Sequence, residues 1–136
     1  MRVFILDEHC DVLNEFLNWL ADDKKIEKIS YFNDTDEFIE NAKKELPQLV
    51  FIKLAKTDIS GLKIGNMLKS IDSDIRVVFI SEENDHAIEA YNIGAFGYLL
   101  TPVEKKKLDK IISIVKEDMV GKSVKQYLDN RGGYRW

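Results

Sequence analysis

Short apolar runs recur along this chain at a nearly regular interval: Val3 to Leu6, a weaker one from Ile26 to Phe32, Leu49 to Ile52, Val77 to Ile80, and Tyr98 to Leu100. Each is rich in β-branched or aromatic residues and short enough to be a strand. Between them, apolar residues return at spacings of three and four. The sets are Leu13, Phe16, Leu17 and Leu20; Phe38, Ile39 and Ala42; Ile64, Met67, Leu68 and Ile71; Ala87, Ile88, Ala90 and Tyr91; and Leu108, Ile111, Ile112 and Val115. That spacing predicts helices, and Asp34 followed by Glu37 has the form of a capping box at the start of one. Strands alternating with helices leave few architectures, because parallel neighbours need crossover connections and those are right-handed. Apolar runs without polar alternation suit strands covered on both faces. The expected fold is therefore α/β, a doubly wound five-stranded parallel sheet. With 136 residues, 45% of them hydrophobic, the chain can bury one core and is too short for two.

In such a sheet, ligands meet the protein at the carboxyl ends of the strands. The residues just past the runs are Asp7 and Glu8, Lys53, Ser81 and Glu82, and Thr101-Pro102. Lys53 is the surprising one, since it directly follows a run that reads as buried. One reading pairs its ammonium with Asp7 or Glu8 across neighbouring strand ends, where opposite charges favour the ionised forms. The other lays its stem over apolar neighbours and lets the head reach water.

Composition narrows the functional classes. Twenty basic against 24 acidic residues leave a net charge of −4, which gives the body of the chain no electrostatic reason to bind nucleic acid. The single cysteine, Cys10, excludes an internal disulfide and fits a reducing compartment. No apolar stretch approaches the length of a membrane span, and Met1-Arg2 lead straight into a strand-like segment. A cytoplasmic location, with no membrane partner, is expected. No P-loop or Gly-x-Gly-x-x-Gly stretch suggests a nucleotide, so no cofactor is expected.

Over about residues 1–117 the chain resembles the response-regulator receiver family of two-component signalling. The stretches that carry the resemblance are VFILDE (3–8), PQLVFIKLAKTDISGLKI (47–64), VVFIS (77–81) and AIEAYNIGAFGYLLTP (87–102). The resemblance implies a flavodoxin-like sheet with strand order 2-1-3-4-5. It also implies an acidic pair that binds Mg²⁺ together with an aspartate ending the third strand, the aspartate accepting a phosphoryl group from a histidine kinase. Asp7 and Glu8 match the pair, but Lys53 stands at the acceptor position. Ser81 matches a hydroxyl that bonds the phosphoryl oxygens, and Tyr98 an aromatic that swings inward with it. Thr101 replaces a lysine before the fifth-strand proline, and a cis bond is expected at Thr101-Pro102. Gly61 keeps a turn glycine, whereas Ala55, Thr57 and Ser60 depart from the family's loop.

These departures bear on chemistry. An aspartyl phosphate needs a carboxylate nucleophile, which an ammonium cannot supply. A divalent cation about 4 Å from a protonated lysine meets repulsion on the order of several kcal/mol at an effective dielectric near 20. The residues Asp7, Glu8, Lys53, Ser81, Tyr98 and Thr101 are thus expected to form a degenerate phosphorylation pocket, without a metal and without enzymatic activity. The expected function is a receiver-like signalling domain working through phosphorylation-independent protein contacts, the N-terminal regulatory module of a transcription regulator. The alternatives are a receiver phosphorylated at an unconventional acid and a small-molecule sensor using the altered pocket.

Partner contacts are expected on the last two helices and the fifth strand, through Ile88, Tyr91, Tyr98, Lys105 and Lys106, in a homodimer or against an effector domain. The run Lys105 to Lys107 otherwise reads as a solvated face. His9, beside Asp7, Glu8 and Cys10, invites a metal reading that diverging side-chain directions disfavour. Asp58 is a weak candidate for a substitute acceptor, with no acid cluster around it. Residues 118–136 read as a linker or tail that would lead to a DNA-binding effector domain, with Gly121 and Gly132-Gly133 interrupting weak helical spacing and Lys122, Lys125, Arg131 and Arg135 among Tyr127, Tyr134 and Trp136.

Overall fold

A computed structural model describes residues 1–9, 14–55 and 59–130, with the side chains of 122–130 excepted. The elements alternate throughout: β1 (Arg2–Leu6), α1 (Asn14–Asp22), β2 (Lys28–Phe32), α2 (Thr35–Glu45), β3 (Leu49–Lys53), α3 (Gly61–Ile71), β4 (Arg76–Ser81), α4 (Ala87–Asn92), β5 (Gly97–Leu100) and α5 (Lys105–Asn130). All strand pairs are parallel, in the order β2-β1-β3-β4-β5. This is the doubly wound, flavodoxin-like sheet. Cys10 and Leu13, like Thr57 and Asp58, lie outside the described residues.

Because successive strand residues point to opposite faces, each apolar run feeds two cores at once. From β1, Val3 and Ile5 pack with Phe16, Leu20, Phe51, Leu108, Ile112 and Val115, beneath α1 and α5. Phe4 and Leu6 pack on the other face with Phe38, Ile52, Leu68 and Phe79, beneath α2 and α3. The rings of Phe4, Phe32 and Phe38 lie 5.0–6.2 Å apart at tilted or edge angles, and Phe16 meets Phe51 edge-on at 5.0 Å, arrangements that aromatic quadrupoles favour.

The helices form where the spacing predicts, with three differences. Met67 is half exposed, because the inward stripe of α3 runs through Leu62, Ile64, Gly65 and Leu68. Gly65 sits there so closely over β4 that a Cβ would lie 2.5 Å from Phe79 Cζ. In α4, only Ala90 is buried, leaving Ile88 and Tyr91 on the surface. The third difference is in α5, which continues through Gly121 to Asn130. An isolated helical glycine costs about 1 kcal/mol relative to alanine, which is not enough to end the helix. The remaining tail residues, 131–136, lie outside the described residues.

At α2, the Asp34 carboxylate accepts from the Glu37 amide at 3.3 Å, so the N-terminal cap is present. The Met1 ammonium donates to the Lys25 carbonyl at 2.8 Å, and burial holds its pKa below the ordinary 8.0. Among the described residues, no helix is long and apolar enough to cross a membrane.

Candidate functional site

The sheet order sets β1 between β2 and β3, so the residues that follow β1 have neighbours on both sides. Backbone pairing extends one step beyond the strand, with the Asp7 amide donating to the Phe32 carbonyl at 2.9 Å. Asp7 is 2% exposed, and its carboxylate accepts from the Tyr31 hydroxyl at 2.8 Å. The Glu8 carboxylate accepts a bond from the Thr35 hydroxyl. Each acid of the pair therefore has a hydroxyl donor from the segment that ends β2 and begins α2. Buried carboxylates need such donors, since a charge taken from water is costly unless paired and bonded.

Lys53 is the last residue of β3, in register with Ile80 of β4. It is 9% exposed, and its ammonium donates to the Leu54 carbonyl at 3.1 Å. The head group is turned inward instead of reaching for water. Glu8, His9, Lys53 and Ser60 line one small cavity of about 10 Å³, room for roughly a single water molecule. Leu6, Ile52, Ala55 and Gly61 complete its lining.

Ser81 is buried, and its hydroxyl oxygen accepts from the Glu83 amide at 3.1 Å, the local turn-forming contact that serine favours two residues on. Tyr98 is half-buried, packs against the core on the α2–α3 side and donates its hydroxyl to the Glu83 carbonyl at 2.6 Å. Ser81 and Tyr98 thus meet at one residue of the β4–α4 loop, with Tyr98 only partly available to a surface contact. The Thr101 amide donates to the Ser81 carbonyl at 2.9 Å, and the Thr101-Pro102 bond is cis. Lys105 pairs with Asp109 at 2.9 Å, and Lys107 approaches Glu104 at 3.8 Å. These lysines lie on the solvated face of α5, as does Lys106.

The residues present do not suit the Mg²⁺ that the family's acidic pair would hold. A small octahedral cation needs carboxylates and waters, whereas this cavity presents an ammonium beside Glu8. Each acid accepts one hydrogen bond from a hydroxyl. Among the described residues, no three His, Cys, Asp or Glu side chains converge as metal ligands would.

Tyr31 and Thr35 escape a reading confined to the first, third, fourth and fifth strand ends. Their signal is positional: in an order 2-1-3-4-5, the end of the second strand adjoins the first. Tyr31 lies opposite Ile5 in the β1–β2 register, one residue before the strand ends.

Comparison with known proteins agrees with the fold. The chain is 30% identical over 120 residues to an uncharacterized response regulatory protein of Shewanella oneidensis, covering 88% of this chain and 50% of that one. It is 23% identical to the sensory transduction protein LytT of Bacillus anthracis, covering 86% and 48%. It is 26% identical to the transcriptional regulatory protein BtsR of Escherichia coli, covering 96% and 54%. The chain thus spans about half the length of the curated relatives it matches. Among solved structures, a receiver domain from Clostridium thermocellum superposes with a TM-score of 0.75 at 20% identity, covering 87% of this chain and 95% of that one. The response regulatory domain of mrkE from Klebsiella pneumoniae gives 0.73 at 18%, covering 87% and 97%. The family model for the response regulator receiver domain matches residues 3–113, and the chain belongs to that family.

Proposed function

We propose that this receiver domain signals through protein contacts and does not depend on phosphorylation. The observation that carries the reading is Lys53, the terminal residue of the central strand β3, buried and lining the same cavity as Glu8. A phosphoryl acceptor at that point must attack with a carboxylate oxygen, and an ammonium has no lone pair to offer. In this reading the positive charge compensates Asp7 and Glu8 at all times, so the pocket is held in one state. The test is incubation with a small phosphodonor and Mg²⁺ followed by intact mass measurement. The mass should not change, and a stoichiometric base-labile phosphoryl adduct on any aspartate would sink the proposal in favour of an unconventional acceptor. Asp58, the candidate weighed for that role, lies outside the described residues. The small-molecule alternative draws no support from a cavity of about 10 Å³, against the hundreds of Å³ of ordinary ligand sites.

The domain reads further as the N-terminal regulatory module, residues 1–117, of a cytoplasmic transcription regulator, with 118–136 as the linker toward an effector domain. Support comes from relatives about twice as long that are named as sensory transduction and transcriptional regulatory proteins. The proposed contact face is that of α4, β5 and α5, used for a homodimer or for the effector. Ile88 is 78% exposed and Tyr91 53% on α4, and Leu100 of β5 is 39% exposed. Lys105 and Lys106 would form the polar margin that such an interface carries.

A further inference from the structure

We infer that Arg76 is a positioning residue for α5: it clamps the turn at Asp118 to the foot of β4, and so fixes the direction in which the helix leaves the domain. The inference concerns the geometry of α5 alone and stands apart from the chemistry of the Lys53 pocket. Arg76 opens β4 opposite Leu49 of β3, and its amide donates to the Gln48 carbonyl at 3.1 Å. Its side chain is held in three ways. Nη1 donates to the Asp74 carbonyl at 3.1 Å, Nη2 donates to Asp118 Oδ2 at 2.7 Å, and Cζ lies 5.7 Å from the centroid of the Phe96 ring. A guanidinium suits this place because its planar fork of donors can serve a carbonyl and a carboxylate while its face meets an aromatic ring. Phe96 is itself tied to β4, its amide donating to the Val77 carbonyl at 2.8 Å.

Asp118 lies where α5 parts from the body. Met119 still packs against the core beneath α1 and α5, whereas Val120 is 52% exposed and a Cβ at Gly121 would meet nothing within 4 Å. The helix nevertheless continues to Asn130, about 18 Å beyond Asp118 at the usual rise. A helical piece of that length is marginal in isolation, and a glycine weakens it further. It persists by propagation from turns already formed, so the last anchored turn governs both whether it frays and where it points. An ion pair with a carboxylate 44% exposed would ordinarily count for little, because ordering two long side chains offsets the attraction. Here the guanidinium, 20% exposed, is already ordered by the Asp74 carbonyl and the Phe96 ring, and pairing orders only the short aspartate. Losing the pair should favour opening of the Asp118 turn by about three- to tenfold, between the worth of an exposed pair and that of a hydrogen bond to a charged group.

The experiment measures amide hydrogen exchange by NMR on the full chain, as native sequence, Arg76→Gln, Arg76→Lys, Asp118→Asn and the double variant Arg76→Gln with Asp118→Asn. Exchange of the amides of residues 119–125 reports local opening of the exit turn. Arg76→Gln and Asp118→Asn should each speed it by about three- to tenfold, and the double variant should exceed neither by much, because both remove the same contact. Arg76→Lys should fall between, since it keeps the charge and loses the fork. Residual dipolar couplings of the same amides should fit the alignment of the sheet in the native chain and shrink in Arg76→Gln. An exit turn that is unchanged while the slowest core amides accelerate would make Arg76 a general support of the fold and overturn the inference. Additive acceleration in the double variant would also overturn it, as would native couplings that do not fit the sheet. If Arg76→Gln does not fold, Asp118→Asn alone decides, and an exit turn that exchanges there as in the native chain refutes the clamp.

Discussion

Replacing Lys53 by methionine tests whether the buried ammonium is a counter-ion or an incidental polar group. Methionine keeps the length and the apolar stem, so packing beside Leu6 and Ile52 is retained and only the charge with its hydrogen bond is lost. Two effects oppose one another. Releasing a charge that is only 9% exposed removes a desolvation cost of several kcal/mol, which is why apolar replacement of buried ions is often neutral or stabilising. Against this, the Leu54 carbonyl loses its donor at 3.1 Å, about 1.5–3 kcal/mol for a hydrogen bond involving a charged group. Asp7 and Glu8 would also lose the compensating charge. If Lys53 serves only the carbonyl, Lys53→Met should match or exceed the native stability. If it compensates the acids, stability should fall by about 2–3 kcal/mol. For a chain of this size that corresponds to a Tm lower by roughly 6 to 12 °C. Urea unfolding at constant slope gives the free energy. A double-mutant cycle with Asp7→Asn, and another with Glu8→Gln, should show coupling above about 0.5 kcal/mol in at least one case. An unchanged or raised Tm, together with no coupling in either cycle, would refute the counter-ion argument.

Two further outcomes follow from packing. Gly65→Ala should destabilise by up to about 2 kcal/mol in urea melts, because a Cβ 2.5 Å from the fully buried Phe79 ring brings overpacking of about 1–3 kcal/mol against roughly 1 kcal/mol of helix propensity. A gain in stability would mean that α3 can shift outward freely. Ile88→Glu, at a side chain 78% exposed, should leave monomer stability within about 0.5 kcal/mol. It should also weaken self-association at least tenfold by sedimentation equilibrium, and a native chain that is monomeric throughout the same range would remove the homodimer proposal.

The fold was legible because its signals are redundant. The strands other than β2 declare themselves by uninterrupted apolar runs, and the two-sided core demands that whichever way a residue points it be apolar. Val3 and Phe4 need not be assigned to faces for the strand to be recognised. Face assignment in helices is less redundant, and there the reading slipped. Met67 fits a spacing of three and four with Ile64 and Ile71, yet the stripe that packs includes Gly65, whose missing side chain leaves no hydrophobic signal. Ile88 and Tyr91 likewise share α4 with Ala90, but only the smallest of the three turns inward. At the site, strand-end logic led to Asp7, Glu8 and Lys53. The partners of the acids, Tyr31 and Thr35, depend on which strand lies next to β1, and that neighbour follows from the sheet order. A tyrosine in a weak edge run and a threonine after a helix cap carry no such information by themselves.

The strand end also shows how the fold can persist when the chemistry of its pocket changes. Position 53 is joined to the sheet through backbone atoms: β3 pairs with β4 as far as Lys53 opposite Ile80, and the next amide, that of Leu54, donates to the Ile80 carbonyl at 2.8 Å. Those bonds are the same whichever side chain projects from residue 53, since the ladder reads only N–H and C=O groups. The side chain is buried at the carboxyl edge of the sheet, where it lines the small cavity it shares with Leu6, Glu8 and Ile52. In the proposed reading its partner is the charge of the two acids that follow β1, a charge that can be balanced by a cation held in solution or by one attached to the chain. A bound metal can come and go, so a pocket built around it can report a phosphorylation event. A lysine cannot leave. If Lys53 fills that role, this domain must vary its output by changing which surfaces it presents or which copies are present, and Ile88 and Tyr91 on α4 are where a change of partner would first be felt.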